Sequence, residues 1–108
     1  MKKIEIPKTP FNIAERVVYA PGSIVSQQLT YNPAGNITLF AFDEGQLLSE
    51  HTAPFDAIVE ILDGEAQITV NGEKFTVKTG EMLVMPANIP HALYAEKRFK
   101  MILTMIKG

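Results

Sequence analysis

The stretch AQITVNGEKFTV, residues 66–77, contains the clearest β-hairpin signal of the chain. Two runs rich in β-branched and aromatic residues flank the dipeptide Asn71-Gly72. A two-residue type I′ turn needs a positive φ at both of its central positions, and Asn-Gly tolerates that conformation. The stretch therefore predicts two antiparallel strands joined by a tight turn.

Strand signals of the same kind recur outward from this hairpin. From Ile24 onward, runs rich in Val, Ile, Thr, Phe and Tyr alternate with turn signals about every eight to twelve residues, which is typical of an antiparallel sandwich or barrel. Beyond residue 23 no run keeps a helical period, so we expect an all-β protein with almost no helix. The other turn signals are Asn32-Pro33-Ala34-Gly35, Asp63-Gly64 and Thr79-Gly80. The predicted strands lie near residues 24–31, 36–43, 46–52, 57–62, 66–70, 73–77, 82–85, 91–95 and 98–106.

The first 23 residues differ from the rest of the chain. They contain Pro7, Pro10 and Pro21 and show little periodicity, so we predict an extended N-terminal arm over residues 1–23. Residues 24–108 then form a single barrel domain, because a chain of 108 residues matches one ordinary domain with its own core.

The composition excludes several classes of function. The 10 Lys and Arg residues are balanced by 12 Asp and Glu residues and form no long basic run, so we expect no nucleic-acid partner. The absence of cysteine excludes disulfides, thiolate metal sites and cysteine nucleophiles. No apolar run has the length of a signal peptide or a membrane span, so we expect a soluble cytoplasmic protein without a membrane partner.

Two of the predicted strands carry apolar side chains on both faces. They are NITLFAF, residues 36–42, and FKMILTMI, residues 99–106. A small barrel buries only its inner face, so the outer face of these strands needs another cover. We expect a second copy of the chain to cover it in a homodimer, and the alternative cover is the proline-rich arm.

The two histidines of the chain, His51 and His91, are the main candidates for chemistry. A single histidine on a strand is more often structural than a ligand. Here, however, glycines and prolines flank both histidines at regular offsets, in GQLLSEHTAPFDAIVEILDG, residues 45–64, and in GEMLVMPANIPH, residues 80–91. This context favours a functional role for the pair.

At these two segments the chain resembles the cupin superfamily. The second cupin motif, G-x5-P-x-G-x2-H-x3-N, is matched by Gly80, Pro86 and His91. Asn88 stands at its second glycine and Ala95 at its final asparagine. Asn is a mild departure, because it tolerates the left-handed backbone region better than other non-glycine residues.

The first cupin motif, G-x5-H-x-H-x(3,4)-E-x6-G, is matched only at its ends. Gly45, His51 and Gly64 agree with it, whereas Ala53 replaces the second histidine and Ala57 replaces the glutamate at the shorter spacing. The resemblance implies a small conserved-barrel cupin, with a double-stranded β-helix or jelly-roll fold. It says little about function, because cupins include dioxygenases, isomerases, decarboxylases, storage proteins and sugar sensors.

The resemblance also implies what the site has lost. In the usual cupin site, three imidazoles and a carboxylate hold Fe, Mn, Ni, Cu or Zn inside the barrel and leave positions open for substrate. With only His51 and His91 in place, we expect a weak metal site. The two alanines enlarge the cavity, which favours a small organic ligand. The remaining predicted pocket residues are Ser49, Ala53, Asp56 and Ala57. Ser49 has the same strand parity as His51, and Asp56 is considered as a substitute carboxylate.

The leading hypothesis is therefore a small-molecule-binding cupin with a degenerate two-histidine metal site. The alternative is a metal-dependent enzyme of the dioxygenase or isomerase type, in which Asp56, water or substrate completes the coordination. A metal-free epimerase would need His51 or His91 as a base and Tyr94 as an acid, but Tyr94 has the opposite strand parity to His91. A purely structural or regulatory module is the third reading.

Overall fold

The structure, a computed structural model, describes residues 7–107 as eight strands and one short 3₁₀ helix, Ile13–Arg16. The predicted all-β fold is confirmed. Within the described residues, no helix has the length and apolarity that a membrane crossing needs. The strands are β1 (Ile24–Asn32), β2 (Gly35–Phe42), β3 (Leu47–His51), β4 (Asp56–Val70), β5 (Glu73–Lys78), β6 (Met82–Met85), β7 (His91–Tyr94) and β8 (Phe99–Ile106).

The strands form two antiparallel layers that share one long strand. The first sheet has the order β1-β2-β8-β4-β6, and the second has the order β3-β7-β4-β5. The N-terminal half of β4 pairs in the first sheet and its C-terminal half pairs in the second. Because β4 passes from one layer to the other, the sheet curls into a jelly-roll barrel.

The strand prediction is wrong at Asp63-Gly64. The sequence predicts a turn between two strands there, but the structure shows a bend within the single strand β4, with a register shift between Ile61 and Asp63. Gly64 has a φ of 75°, and a Cβ at this position would lie 2.4 Å from the carbonyl oxygen of Arg98. Glycine therefore lets β4 bend between the sheets while it keeps pairing with β8.

The predicted turn at Asn71-Gly72 is confirmed by its positive φ angles. Asn71 and Gly72 have φ angles of 51° and 80°, and β4 and β5 pair up to Val70 and Glu73 on either side. Asn88 has a φ of 64°, so it adopts the left-handed conformation expected at the glycine position of the second motif.

The main core lies between the two sheets. Alternate residues of β4, among them Val59 and Ile61, are 0–1% exposed. The rings of Phe42 and Phe99 stack with centroids 4.6 Å apart. Burial of each such side chain contributes about 1.5–3 kcal/mol, so this layer supplies most of the stability that holds the barrel closed.

A second, smaller core lies on the outer face of the first sheet. Val17 of the N-terminal arm is fully buried there against Leu29, Leu39 and Ala41. The arm therefore covers part of the outer face of β2, which is the alternative cover that the sequence analysis considered. The described part of the arm is not extended throughout, because it contains the 3₁₀ helix. Residues 1–6 of the predicted arm and residue 108 lie outside the described residues.

Polar contacts attach the arm to the same face. The Tyr19 hydroxyl donates a hydrogen bond of 2.6 Å to Asp63, and the Arg98 guanidinium lies 4.5 Å from the centroid of the Tyr19 ring. The Lys100 ammonium donates to the carbonyl oxygen of Ala14 at 2.7 Å. Burial, together with the hydrogen bond to Asp63, raises the pKa of Tyr19 above its ordinary value.

Candidate functional site

The structure brings the two histidines together. β3 ends at His51 and β7 begins at His91, and the two residues are register partners across these strands. Their ring centroids lie 4.3 Å apart, with an angle of 68° between the ring planes. Register partners on adjacent antiparallel strands project to the same side of the sheet, so both imidazoles stand on one face.

That face is the inner one. Along β7, His91 and Leu93 are 4% and 3% exposed, whereas Tyr94 is 45% exposed. His51 itself is exposed although it pairs with His91. The pair therefore lies at the rim of the barrel, with one ring buried and one accessible, and not at the floor of a closed pocket.

Each imidazole is oriented by a backbone carbonyl two residues earlier. Nδ1 of His51 lies 2.8 Å from the carbonyl oxygen of Ser49, and Nδ1 of His91 lies 3.1 Å from that of Ile89. A carbonyl oxygen only accepts, so Nδ1 of each ring carries the proton and donates it. In the neutral rings, Nε2 is then the atom that can accept a hydrogen bond or coordinate a metal.

Ser49 does not supply a hydroxyl beside His51. The pairing of β3 with β7 shifts between Leu48 and His51. The advance from Leu48 to His51 is three residues, whereas the advance between their partners on β7 is two residues. This bulge breaks the alternation on which the prediction depended. Ser49 is exposed and lines a groove with Leu47 and Tyr94 on the outer face. Its contribution to the site is the carbonyl that orients His51.

Ala53 belongs to the connection after β3, and Asp56 is the first residue of β4. β3 ends at His51, so strand alternation does not extend to Ala53. The carbonyl of Ala53 accepts the amide of Asn88 at 2.8 Å, and the Asp56 carboxylate accepts the amide of Ala87 at 2.9 Å. Both contacts hold the β6–β7 connection, and one oxygen of the Asp56 carboxylate is engaged there.

Ala57 is buried and belongs to the main core. The sequence analysis missed Thr38, a polar residue that is only 2% exposed. Thr38 has the strand parity of Phe40 and Phe42, which pack on the main core, and it pairs with Gln28 and Leu103. The alternation of NITLFAF carried this signal, because it places Thr38 between apolar neighbours on the inner face.

His51 and His91 form only part of a metal site. His51 and His91 offer two Nε2 atoms, each with the oriented Nδ1–H that is typical of metal-ligating histidines. Within residues 7–107, no group of three or more His, Cys, Asp or Glu side chains is placed to hold a metal ion. The described part of the chain therefore supplies half of a four-ligand sphere and no carboxylate grouped with the two histidines.

The outer face of the second sheet carries a separate groove of about 440 Å³. Exposed Leu47 and Tyr94 lie along it with Gln67, Thr69 and Lys74, and neither histidine lines it. Tyr94 lies on the outer face, as its parity predicts. The acid required by the epimerase reading is therefore on the opposite face from His91.

Comparison with known proteins agrees with the fold and with the motifs. The cupin domain family matches residues 38–107, which include both histidines. This chain therefore belongs to the cupin family. Among curated proteins, no sequence matches it significantly.

Several solved structures are similar to this one. A conserved protein of unknown function from Streptococcus pyogenes is 38% identical, with a TM-score of 0.91 over 97% of this chain and 91% of that one. A cupin 2 conserved barrel domain protein from Leptotrichia buccalis is 49% identical, with a TM-score of 0.88 over 90% of this chain and 47% of that one. Salicylate 1,2-dioxygenase from Pseudaminobacter salicylatoxidans is 19% identical, with a TM-score of 0.72 over 81% of this chain and 27% of that one. At that identity the likeness concerns the fold alone.

Proposed function

We propose that this cupin binds a small organic molecule at the rim of its barrel, where His51 and His91 recognise polar atoms of the ligand. One observation carries the proposal: the two rings lie 4.3 Å apart and both have Nδ1 engaged by a carbonyl. Two Nε2 atoms are thereby held ready on one face. A ligand site needs a few polar groups fixed in position, and this pair supplies two of them.

The shortage of metal ligands supports an organic ligand over a structural metal. Alanine stands at both positions where the cupin motif has its other ligands, Ala53 and Ala57. The nearby carboxylate, Asp56, is bonded to the backbone amide of Ala87. Affinity and geometric selection fall with each missing ligand, so we propose that Fe, Mn, Ni, Cu or Zn binds weakly.

A metal-dependent enzyme of the dioxygenase or isomerase type is the second candidate. The observation in its favour is the Nδ1–H of each histidine, because metal-ligating histidines are usually oriented by such a bond. This candidate requires stoichiometric metal in protein purified without a histidine tag. Our leading proposal expects much less than one equivalent.

A thermal-shift screen of small metabolites tests the leading proposal. Ligands that raise the Tm of the wild-type protein are titrated against His51→Ala and His91→Ala, with Tyr94→Ala as a matched control in the outer groove. We expect each histidine variant to weaken binding while Tyr94→Ala retains it. The opposite pattern would move the ligand site to the outer groove, and unchanged binding in all three would contradict a role for the histidines.

We further propose that the chain forms a homodimer through the outer face of the first sheet. Val17 covers only part of this face, while Met82, Val84 and Ile106 remain 59%, 51% and 49% exposed. Met82 and Val84 are register partners of Glu60 and Ile58, which alternate with the buried residues of β4 and so face outward. Exposed apolar side chains on one face favour self-association.

Sedimentation analysis tests the dimer. We expect Val84→Glu to shift the protein toward monomer, because it places a charge in the proposed interface. Leu47→Glu is the matched control, because Leu47 is 54% exposed and lies on the outer face of the second sheet. A monomeric wild-type protein would contradict the proposal. The cytoplasmic location and the absence of nucleic-acid and membrane partners stay predictions.

A further inference from the structure

The end of the barrel that carries His51 and His91 also carries a cation, Lys107, that the proposed function does not use. The end of β3 at His51 and the start of β4 at Asp56 are joined by residues 52–55, so both strand ends lie at the same end of the barrel. The end of β8 lies there too, because Ile106 pairs with Asp56. Lys107 follows immediately and therefore belongs to the rim that carries the histidines.

The position of Lys107 is held by both its backbone and its side chain. Its amide donates to the carbonyl of Ala34 in the β1–β2 turn at 2.8 Å. Its ammonium nitrogen lies 5.0 Å from the centroid of the Phe55 ring and 5.5 Å from that of the Tyr31 ring. Cation–π contacts of this length orient an ammonium group without neutralising its charge.

Phe55 connects this cation to the histidines. It lies four residues after His51, so their Cα atoms are at most about 15 Å apart, and the real chain is tied back by the hydrogen bond from Asn88 to Ala53. Phe55, and Lys107 with it, therefore lies at the same end of the barrel as the imidazoles.

The charge of Lys107 favours an anion, because the described contacts of its ammonium group are with the Phe55 and Tyr31 rings and not with a carboxylate. Asp56, the carboxylate nearest to Lys107 in strand register, accepts the amide of Ala87. The positions at which cupins carry their remaining histidine and glutamate are Ala53 and Ala57, which carry no charge. A ligand carboxylate placed at Lys107 would make a charge-assisted hydrogen bond, which is shorter and stronger than a neutral one.

We propose that Lys107 selects small monocarboxylates with an apolar or aromatic body, with the carboxylate at Lys107 and the body against the ring of Phe55. This inference rests on the proposed ligand site at the histidines, because the far end of the ligand must reach them. It assigns to the rim a ligand class that the two histidines alone do not define.

Phenylacetate and phenylacetamide are matched probes, since they share a shape and differ in charge. Titration calorimetry on the untagged full-length chain should show phenylacetate binding about tenfold or more tightly than phenylacetamide. Lys107→Gln should remove this preference and leave phenylacetamide unchanged, while Lys107→Arg should retain it. The preference of the wild-type protein should also shrink as salt increases.

Histidine variants separate this inference from the proposed function. We expect His51→Ala to weaken both probes equally, and phenylacetate to shift the imidazole ¹⁵N signals of the wild-type protein. If the histidine variants lose binding but Lys107→Gln keeps the preference for phenylacetate, Lys107 is not the selecting group and the inference fails alone. If Lys107→Gln removes the preference but the imidazole signals do not move, the histidine site fails. Failure of both probes to bind at millimolar concentration overturns the inference.

Discussion

His51 and His91 are register partners across β3 and β7, and their ring centroids lie 4.3 Å apart. The two strands approach this pairing differently, because β3 reaches it through a bulge and β7 begins at it. The bulge has a chemical result: Leu48 and His51 both face inward although they have opposite parity in the sequence. An uninterrupted β3 would have left the two imidazoles on opposite faces of the sheet.

The unequal burial of the pair predicts unequal costs on removal. His91 is 4% exposed, so His91→Ala should leave a small cavity and an unpartnered Ile89 carbonyl, with a loss of about 2–3 kcal/mol in the free energy of unfolding. His51 is exposed, and His51→Ala should cost less than about 1 kcal/mol. Urea denaturation measures both. Equal costs would show that the two rings are buried alike.

The bend in β4 depends on Gly64. Gly64→Ala should lower the free energy of unfolding by about 2–4 kcal/mol, because φ is positive and the new Cβ would lie 2.4 Å from the Arg98 carbonyl oxygen. Gly80→Ala is the control, because φ is 87° there but a Cβ meets no heavy atom within 4 Å. It should lower the free energy of unfolding only by the cost of a positive φ at alanine, about 1 kcal/mol. If the two variants lose the same amount, close approach to β8 does not restrict Gly64.

The arm is part of the folded core through one side chain. Val17→Ala should cost about 1–3 kcal/mol, because Val17 is fully buried against the outer face of the first sheet. Val18→Ala should change the stability by no more than about 0.5 kcal/mol, because Val18 is 68% exposed. Thermal unfolding of the two variants compares them directly. A neutral Val17→Ala would show that the arm does not stay docked in solution.

The contact between Tyr19 and Asp63 predicts a loss of stability at high pH. Burial first, and then the hydrogen bond to Asp63, raises the pKa of Tyr19 in the folded protein above the ordinary value of about 10. Above pH 10 the unfolded chain ionises this tyrosine while the folded chain keeps its proton. Stability should therefore fall as pH rises beyond about 10. Tm values for wild type and Tyr19→Phe across pH 8–12 provide the measurement, and the variant should show a shallower decline. Parallel pH profiles would exclude Tyr19 as the source.

The sequence predicted those features that depend on local chemistry. Asn71-Gly72 and Asn88 have the positive φ angles that their residue types favour. The two cupin motifs pointed to His51 and His91 as candidate site residues, because the spacing between turn glycines and histidines is contained within short segments. The all-β class followed from strand spacing alone.

Other features depend on long-range pairing and were not predictable from local patterns. Asp63-Gly64 resembles a turn in sequence, but β8 pairs with both sides of it and keeps β4 continuous. The bulge before His51 adds one residue to β3 and moved Ser49 out of the predicted site. Val17 belongs to a proline-rich segment without periodicity, and only the docked arm reveals its burial.

The central claim is that this cupin retains two of its metal ligands and uses them to bind an organic molecule. Element-resolved metal analysis of untagged protein tests it most directly, before and after exposure to Fe(II), Mn(II), Ni(II), Cu(II) and Zn(II), with the double variant His51→Ala, His91→Ala as the reference. We predict metal well below one equivalent, close to the level in the double variant. One equivalent of a single metal that disappears in the double variant would contradict the claim and favour the metal-dependent enzyme.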